Sequence, residues 1–321
     1  MANVNAATTA WNSPNYTGTL YLIGANQTPF LNMIGGLEGG KVRLVSSMQF
    51  ALGSTYALES AAQPAITETA SLTAPNPWTY VRSQDVNTCQ IFQKQVSVSY
   101  LGQSLAGAIT ADPNTGLANL DPEGNQAADE LSFQEKAALR QIALEVEYTF
   151  LNGVYQQASD AGTAAKCRGI ITACASNAVD AAEAALSKDL IDQLMRTMAD
   201  NGAQFTNVVC FVNAFQKQKL SALYGYAPAD RNVGGVNIKQ IETDFCEMGV
   251  VWAPQVPAGS LLVADLDVCH PVFNPVPAKG ALFIEDLSKT GASDSRQIYG
   301  QIGLDYGPEE YHGVITNLAT S

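Results

Sequence analysis

The chain is poor in histidine. Only two histidines, His270 and His312, occur in 321 residues. Neither has a serine motif or a suitably spaced carboxylate nearby, so each reads as a satisfied structural side chain. Cys269 adjoins His270, but adjacency is not ligand spacing, and a zinc site would need distant partners that nothing announces. The six cysteines, Cys89, Cys167, Cys174, Cys210, Cys246 and Cys269, lack any C-x-x-C spacing. Several lie in or beside apolar runs such as NVVCFV, which points to buried, reduced thiols in a cytosolic product. Long hydrophobic runs are missing as well: nothing approaches the roughly 18 residues that span a bilayer, and no charged region leads into an apolar one at the N-terminus. The expectation is a soluble, unsecreted protein with no membrane contact, in which the sequons at Asn15 and Asn26 carry no glycan. Basic residues are scarce, 17 Lys and Arg against 30 Asp and Glu, for a net charge of −13. That balance disfavours sequence-independent adhesion to DNA, RNA or anionic lipid, which needs cations to neutralise phosphate. Charged residues of both signs reach only 15%, whereas hydrophobic ones reach 46%, so the chain is ordered and has little charged surface to spare.

What is present is a long amphipathic segment, 129–153. Leu131, Ala138, Leu139, Ile142, Ala143, Val146 and Phe150 recur at helical spacing, while Glu135, Lys136, Arg140, Glu145 and Glu147 fall mostly off that stripe. Ser132 with Glu135 fits a capping box, and Asn152-Gly153 reads as a left-handed stop. At about 1.5 Å per residue such a helix is roughly the width of a small domain and can serve as a spine.

The text before the spine is of another kind. Residues 1–40 are rich in Asn, Thr, Gly and Ala, with small apolar clusters at 20–23 and 30–34. A segment of that composition cannot bury itself and is expected to be held by a neighbouring subunit. Strand-like text at 41–52 leads into an Ala, Ser, Thr and Pro rich excursion at 53–77, and a strict alternation at 95–100 marks a half-exposed strand. Two strands joined by so long a loop form an arm with a task outside the monomer. Turn-forming text at 107–126 leads into the spine. Beyond it, 186–199 reads as a helix capped by Ser187 and stopped at Asn201-Gly202, 208–212 as a buried strand and 214–224 as a short helix. Further strands are expected at 236–241, 249–252, 260–264, 281–284, 297–304 and 313–317. With no regular β-α-β alternation, the distal half reads as α+β with a mostly antiparallel sheet.

Candidate chemistry is weak throughout. Residues 35–42 match G-x-x-x-x-G-K, but Val42 stands where a magnesium-binding hydroxyl belongs, and strand text follows where a helix should. A flexible joint is the better reading. Gly102-Gln103-Ser104-Leu105-Ala106 lacks the second glycine of a nucleophile elbow. Asp265 with Asp267, and Glu309 with Glu310, read as turn chemistry. No catalytic, cofactor-binding or metal-binding residue is assigned. What remains is an arm, an excursion, a spine helix and an α+β body. Arms and excursions cost ordering entropy that a monomer cannot recover, so the pattern describes a self-assembling building block.

The order of these elements resembles the major capsid proteins of tailed bacteriophages, the Hong Kong 97-like shell fold, in the subset without a cleaved scaffold domain. The resemblance is carried by Thr28-Pro29-Phe30-Leu31 running to Ile34-Gly35, the strands flanking 53–77, Ala143 to Tyr148 ending at Leu151-Asn152-Gly153, and Arg168-Gly169-Ile170-Ile171. Leu287 to Gly291, Gln297 to Tyr306 and His312 to Ile315 look like the closing strands; Ala292 to Ser295 has no counterpart in the pattern. The resemblance implies an N-arm at 1–40, an extended β-hairpin loop at 41–98 and a peripheral domain at 99–174 containing the spine helix. It further implies an axial domain at 175–284 and return strands of the peripheral domain at 285–321. Leu20, Tyr21, Phe30 and Leu31 of the arm, with Trp78 and Phe92 of the loop region, are the expected intersubunit contacts, and deleting 1–35 is expected to leave a soluble body that no longer closes shells. Implied partners are other copies arranged as hexamers and pentamers, a portal, scaffolding or decoration proteins, and packaged double-stranded DNA without sequence-specific contact. The protein would be assembled in the host bacterial cytoplasm and reside in the virion. Some members cross-link subunits through a lysine and an asparagine; Lys41 and Lys94 lie in the right region, but nothing marks a partner, and no covalent link is expected. The competing readings are a cellular nanocompartment shell of the same fold, a nucleotide-binding enzyme using 35–42, and a tail-tube protein.

Overall fold

Two strands that are buried at every position, Val208–Val212 and Leu261–Asp265, need cover on both faces. The computed structural model, which describes residues 22, 27–37, 41–105, 130–224 and 240–320, places them side by side at the centre of a sheet. In chain order the elements are α1 (Pro29–Met33), β1 (Arg43–Leu44), β2 (Gln49–Tyr56), α2 (Glu68–Ser71), β3 (Arg82–Thr88), β4 (Gln90–Ser99) and α3 (Tyr100–Leu105). The spine α4 (Glu130–Asn152) follows, then α5 (Ile170–Ala173), β5 (Ala178–Asp180), α6 (Lys188–Asp200), β6 (Val208–Val212) and α7 (Ala214–Tyr224). The remainder is β7 (Gln240–Glu242), β8 (Glu247–Trp252), β9 (Leu261–Asp265), β10 (His270–Phe273), β11 (Leu282–Asp286), β12 (Ser293–Asp305) and β13 (Gly313–Thr316). The apolar cluster expected at 20–23 (apart from Leu22), the turn text at 107–126 and the start of the strand expected at 236–241 lie outside the described residues.

The central sheet has the order β5-β13-β9-β6-β8-β7, and its alternating side chains divide the core. Val209, Phe211, Leu262, Ala264 and Val314 face one cluster together with α1, α4 and α5. Val208, Cys210, Val212, Leu261, Val263 and Ile315 face the other, which α6 closes with Ile191, Leu194, Met195 and Met198. Helix α6 starts where expected, with Ser187 Oγ accepting from the Leu190 amide at 3.3 Å, and stops at Gly202, whose φ of +87° suits a residue without Cβ.

The second sheet is built on the long strand β12. It pairs antiparallel with β4 along one side, and with β11 and then β10 along the other, while β1 runs parallel to β10. In β4, Phe92, Val96 and Val98 are buried and the residues between them are exposed or half-buried, the alternation that the sequence shows.

The structure corrects several expectations. The last strand does not return to the peripheral sheet: β13 lies between β5 and β9 in the central sheet, so the chain leaves that sheet after β9, builds β10 to β12 and comes back. The central sheet is also more mixed than expected, since β6–β8 and β13–β5 are parallel pairs. The β6-α7-β8 crossover escapes a reading of alternation because β7 intervenes. The unmatched stretch at 292–295 is Ala292 and the first three residues of β12, tied to α3 by a Tyr100 amide bond to the Ala292 carbonyl at 3.0 Å. Ser132 lies inside α4 and so is not its cap. Gly153 is not among the residues with positive φ. Its missing side chain serves a backbone crossing instead. The Gly169 amide donates to the Gly153 carbonyl at 2.8 Å, and a Cβ on Gly169 would fall 2.5 Å from the Gly153 nitrogen.

Candidate assembly surface

The excursion is a two-stranded ribbon, β2 with β3, that leaves the body and carries residues 57–81 at its far end. Every residue from Tyr56 to Val86 is exposed. Among them Leu58, Ile66, Leu72, Trp78, Tyr80 and Val81 are large and apolar, with Leu72 84% and Trp78 63% open. A two-stranded ribbon is marginal in water, and a soluble monomer rarely exposes so much apolar surface in one projection. The physical chemistry therefore asks for a covering surface beyond this chain.

The ribbon's base, by contrast, is tightly fixed. Phe50 and Leu52 enter the core, and the Phe50 ring lies so close to Gly303 that a Cβ there would be 2.8 Å from it. Asn87, fully buried, binds three segments at once. Its Nδ2 donates to the Leu304 carbonyl at 2.8 Å and the Arg168 carbonyl at 3.1 Å, while its Oδ1 accepts from the Arg168 and Thr88 amides at 2.8 and 2.9 Å. The Arg168 side chain lies over the Tyr155 ring at 5.0 Å and approaches Asp85 of β3 at 4.0 Å. Arg43 joins β1 to the Ala51 carbonyl and to Asp305 at 2.6 Å. A rigid root under an exposed tip aims the ribbon in one direction. Asn87→Ala takes the side-chain partner from the buried Leu304 carbonyl and from the Arg168 amide, at about 1–3 kcal/mol for each group left unsatisfied. We expect thermal scanning of assembled shells to show a clear fall in Tm for Asn87→Ala and also for Asn87→Asp, whose carboxylate cannot donate to Leu304.

The described part of the N-terminal arm does not wait for a neighbour. Phe30 and Leu31 are buried in the chain's own core, Phe30 edge-on to Phe211 with ring centroids 5.4 Å apart. Helix α1 lacks a side-chain cap at Thr28. Its amides are served from α4 instead: Phe30 N–H donates to Glu147 Oε1 at 3.0 Å and Leu31 N–H to Oε2 at 2.7 Å. Burial pushes the Glu147 carboxyl up to about 7, against the opposing pull of these two bonds.

Of the six expected contact residues, Trp78 alone is exposed in the described structure. Phe30, Leu31 and Phe92 are corrected to core positions of the same chain, because an apolar cluster beside a helix stripe satisfies itself locally. Leu20 and Tyr21 lie outside the described residues. Leu58, Ile66, Leu72, Tyr80 and Val81 were missed; their signal was apolar residues of no periodicity in turn-rich text. Glu147, expected off the apolar stripe, stands four residues after Ala143 and three before Phe150, and is buried with Phe150.

The remaining candidates resolve into structure. Gly35 and Gly36, at φ +105° and +69°, end α1 rather than follow a strand. Lys41 donates to the Leu266 carbonyl and pairs with Asp267 at 3.5 Å, and Lys94 pairs with Glu145 at 2.6 Å. Gly102 to Ser104 lie within α3, not at a strand-to-helix turn. Asp265 accepts from the Thr206, Asn207 and Asp267 amides, as turn chemistry requires. His312 is wholly buried between the Asp265 amide and the Tyr306 carbonyl, and burial holds it below its ordinary range as a neutral ring. All six cysteines are free and five are buried; burial pushes Cys89, Cys167 and Cys210 up to about 12.

The sequence matches the family described as SU10 major capsid protein over residues 3–319. Among curated proteins there is no match. The fold is similar to that in the capsid asymmetric unit of cyanophage A-1(L), with a TM-score of 0.66 at 12% identity over 100% of both chains. The capsid of the native GTA particle matches with a TM-score of 0.59 at 13% identity, covering 99% of this chain and 100% of that one. The holo-SrpI encapsulin of Synechococcus elongatus PCC 7942 matches with a TM-score of 0.56 at 12% identity, covering 100% of this chain and 98% of that one.

Proposed function

This chain belongs to the SU10 major capsid protein family, and from that premise we propose that its exposed ribbon is the element by which copies clasp one another around a packaged genome. The chain is a structural, shell-forming phage protein of the Hong Kong 97-like fold and a component of the virion. In our reading, copies assemble in the host cytoplasm into hexamers and pentamers, and residues 57–81 of each lie over the adjacent subunit. The observation that carries this reading is the contrast between a root locked by Asn87 and a tip whose large apolar side chains meet only water. A portal and a scaffolding or decoration protein complete the head. The enclosed double-stranded DNA is held without sequence-specific contact, since a net charge of −13 suits a wall that must not bind a densely packed polyanion.

Electron microscopy of wild type beside the double variant Leu72→Asp, Trp78→Asp tests the clasp. Both positions are exposed, so the variant subunit should fold with normal circular dichroism and fail to close shells. Intact shells from that variant would sink the reading. The likeness to an encapsulin favours one alternative, a compartment filled with protein. Particle contents separate the two, because nuclease-protected DNA inside the wild-type shell supports the phage head and a captured protein cargo opposes it.

A further inference from the structure

The outer side of the spine helix is unlike the rest of this acidic chain. Lys136, Arg140, Leu144 and Tyr148 stand four residues apart on α4 and form one stripe about 18 Å long. Lys136, Arg140 and Tyr148 are exposed and Leu144 is half-buried, so the stripe is basic at one end and apolar at the other. Every acid of α4 is already engaged: Glu130 accepts from Gln134, Glu135 from Arg296, Glu145 from Lys94 and Gln141, and Glu147 from the amides of α1. Neither Lys136 nor Arg140 has an ion-pair partner among the described residues. Like charges at this spacing repel one another, a cost that no described group offsets.

The ribbon tip is the complement. Residues 57–81 contain Glu59 and Glu68 and no Lys, Arg or His. Both carboxylates are exposed and without an ion pair among the described residues, and Leu58, Ile66, Leu72 and Trp78 stand exposed around them. Every residue of the tip is open to solvent, so it does not lie against its own α4. The other described cations offer no equal receptor. Seven of them are ion-paired within the subunit. Lys188 and Arg196 of α6 stand among Asp189, Asp192 and Asp200, while α7 presents Lys219 but turns Lys217 to the Val250 carbonyl.

We propose that the α4 stripe is the seat of a neighbouring copy's ribbon tip, with Lys136 and Arg140 opposite Glu59 and Glu68, and with Leu144 and Tyr148 under the tip's apolar side chains. This rests on the reading of the ribbon as a clasp and names the surface it clasps. Tip and stripe are different patches of one chain, so the contact is heterologous and runs head to tail, as a closed ring of copies requires. The apolar part supplies adhesion, while the exposed ion pairs add little strength and set which way round the tip lies.

Charge exchange tests the seat. The double variants Lys136→Glu, Arg140→Glu and Glu59→Lys, Glu68→Lys change exposed positions only, so each should keep the wild-type circular dichroism spectrum. Each should lose closed shells in electron microscopy, a fall in particle yield of about tenfold or more, because like charges then face one another across the contact. The quadruple variant, with both signs reversed, should form shells again. Normal shells from either double variant, or none from the quadruple one, would overturn the proposal. On wild-type shells, a zero-length carbodiimide should join Glu59 or Glu68 to Lys136, read by mass spectrometry of the linked peptides. Links from these carboxylates to other lysines alone count against the seat, and this result decides if a variant does not fold. Should Lys136→Glu, Arg140→Glu subunits close normal shells while Leu72→Asp, Trp78→Asp subunits do not, the clasp stands and the seat proposed for it falls. Should both close shells, both readings fall. Normal shells of the Lys136→Glu, Arg140→Glu variant that protect less DNA assign the stripe to the genome and reject the seat.

Discussion

Ile142→Asp should abolish folding, with the protein recovered in the insoluble fraction and no shells by microscopy. Ile142 has no exposure, and it sits on α4 among Val146, Phe150 and the residues of both sheets that make the larger core. An aspartate there loses the packing of the isoleucine and places a carboxylate inside an apolar cluster. Removing a buried aliphatic side chain costs about 2–5 kcal/mol, and an unpaired buried charge adds several more. The sum rivals the roughly 5–15 kcal/mol that holds a whole domain folded. Glu145→Ala is the matched control on the same helix. Its carboxylate pairs with Lys94 at 2.6 Å near the surface, and loss of such a pair costs about 1 kcal/mol or less. Soluble, shell-forming Ile142→Asp protein would show that α4 does not pack as described.

Truncation of the arm should give two opposite results depending on where it ends. Removal of residues 1–35 takes away α1, and with it Phe30, Leu31 and Ile34, all buried in the chain's own core. It also strips Glu147 of both donors. At about 2–5 kcal/mol for each large core side chain, the loss is enough to unfold the body, so this truncation should aggregate. The burial of these residues argues against the soluble, assembly-defective body expected from the sequence. Removal of residues 1–26 spares α1 and should leave a folded subunit with a normal near-ultraviolet circular dichroism spectrum. If the longer truncation melts within a degree or two of the shorter one, α1 is not part of the core.

These two experiments mark where sequence reasoning ran true and where it stopped. The presence of α4, and the limits of α6, β6 and α7, were legible because each is written in local signals: a period near 3.6, a capping serine at 187, a glycine stop at 202, an unbroken apolar run at 208–212. The alternation of β4 declared its half-exposed character in the same way. Composition spoke against sequence-independent adhesion to nucleic acid, and the spacing of His and Cys gave no support to a catalytic or metal site.

Periodicity says that a face is apolar but not what covers it. The cluster at 30–34 could equally have served a neighbour or the chain itself, and only the packing of Phe30 on Phe211 decided for the chain. Glu147 and Asn87 look like ordinary polar residues in the text. They became buried anchors through partners 116 to 117 and up to 217 positions away. The placement of β13 between β5 and β9, and the need for glycine at both 153 and 169, likewise depend on chain crossings that no local window contains. The sequence by itself determined which stretches are helix, strand, arm and excursion, because those follow from neighbouring residues. Tertiary structure alone decided which polar groups are sealed from water and which apolar ones are left in it, because burial is settled between segments that meet only after the chain has folded.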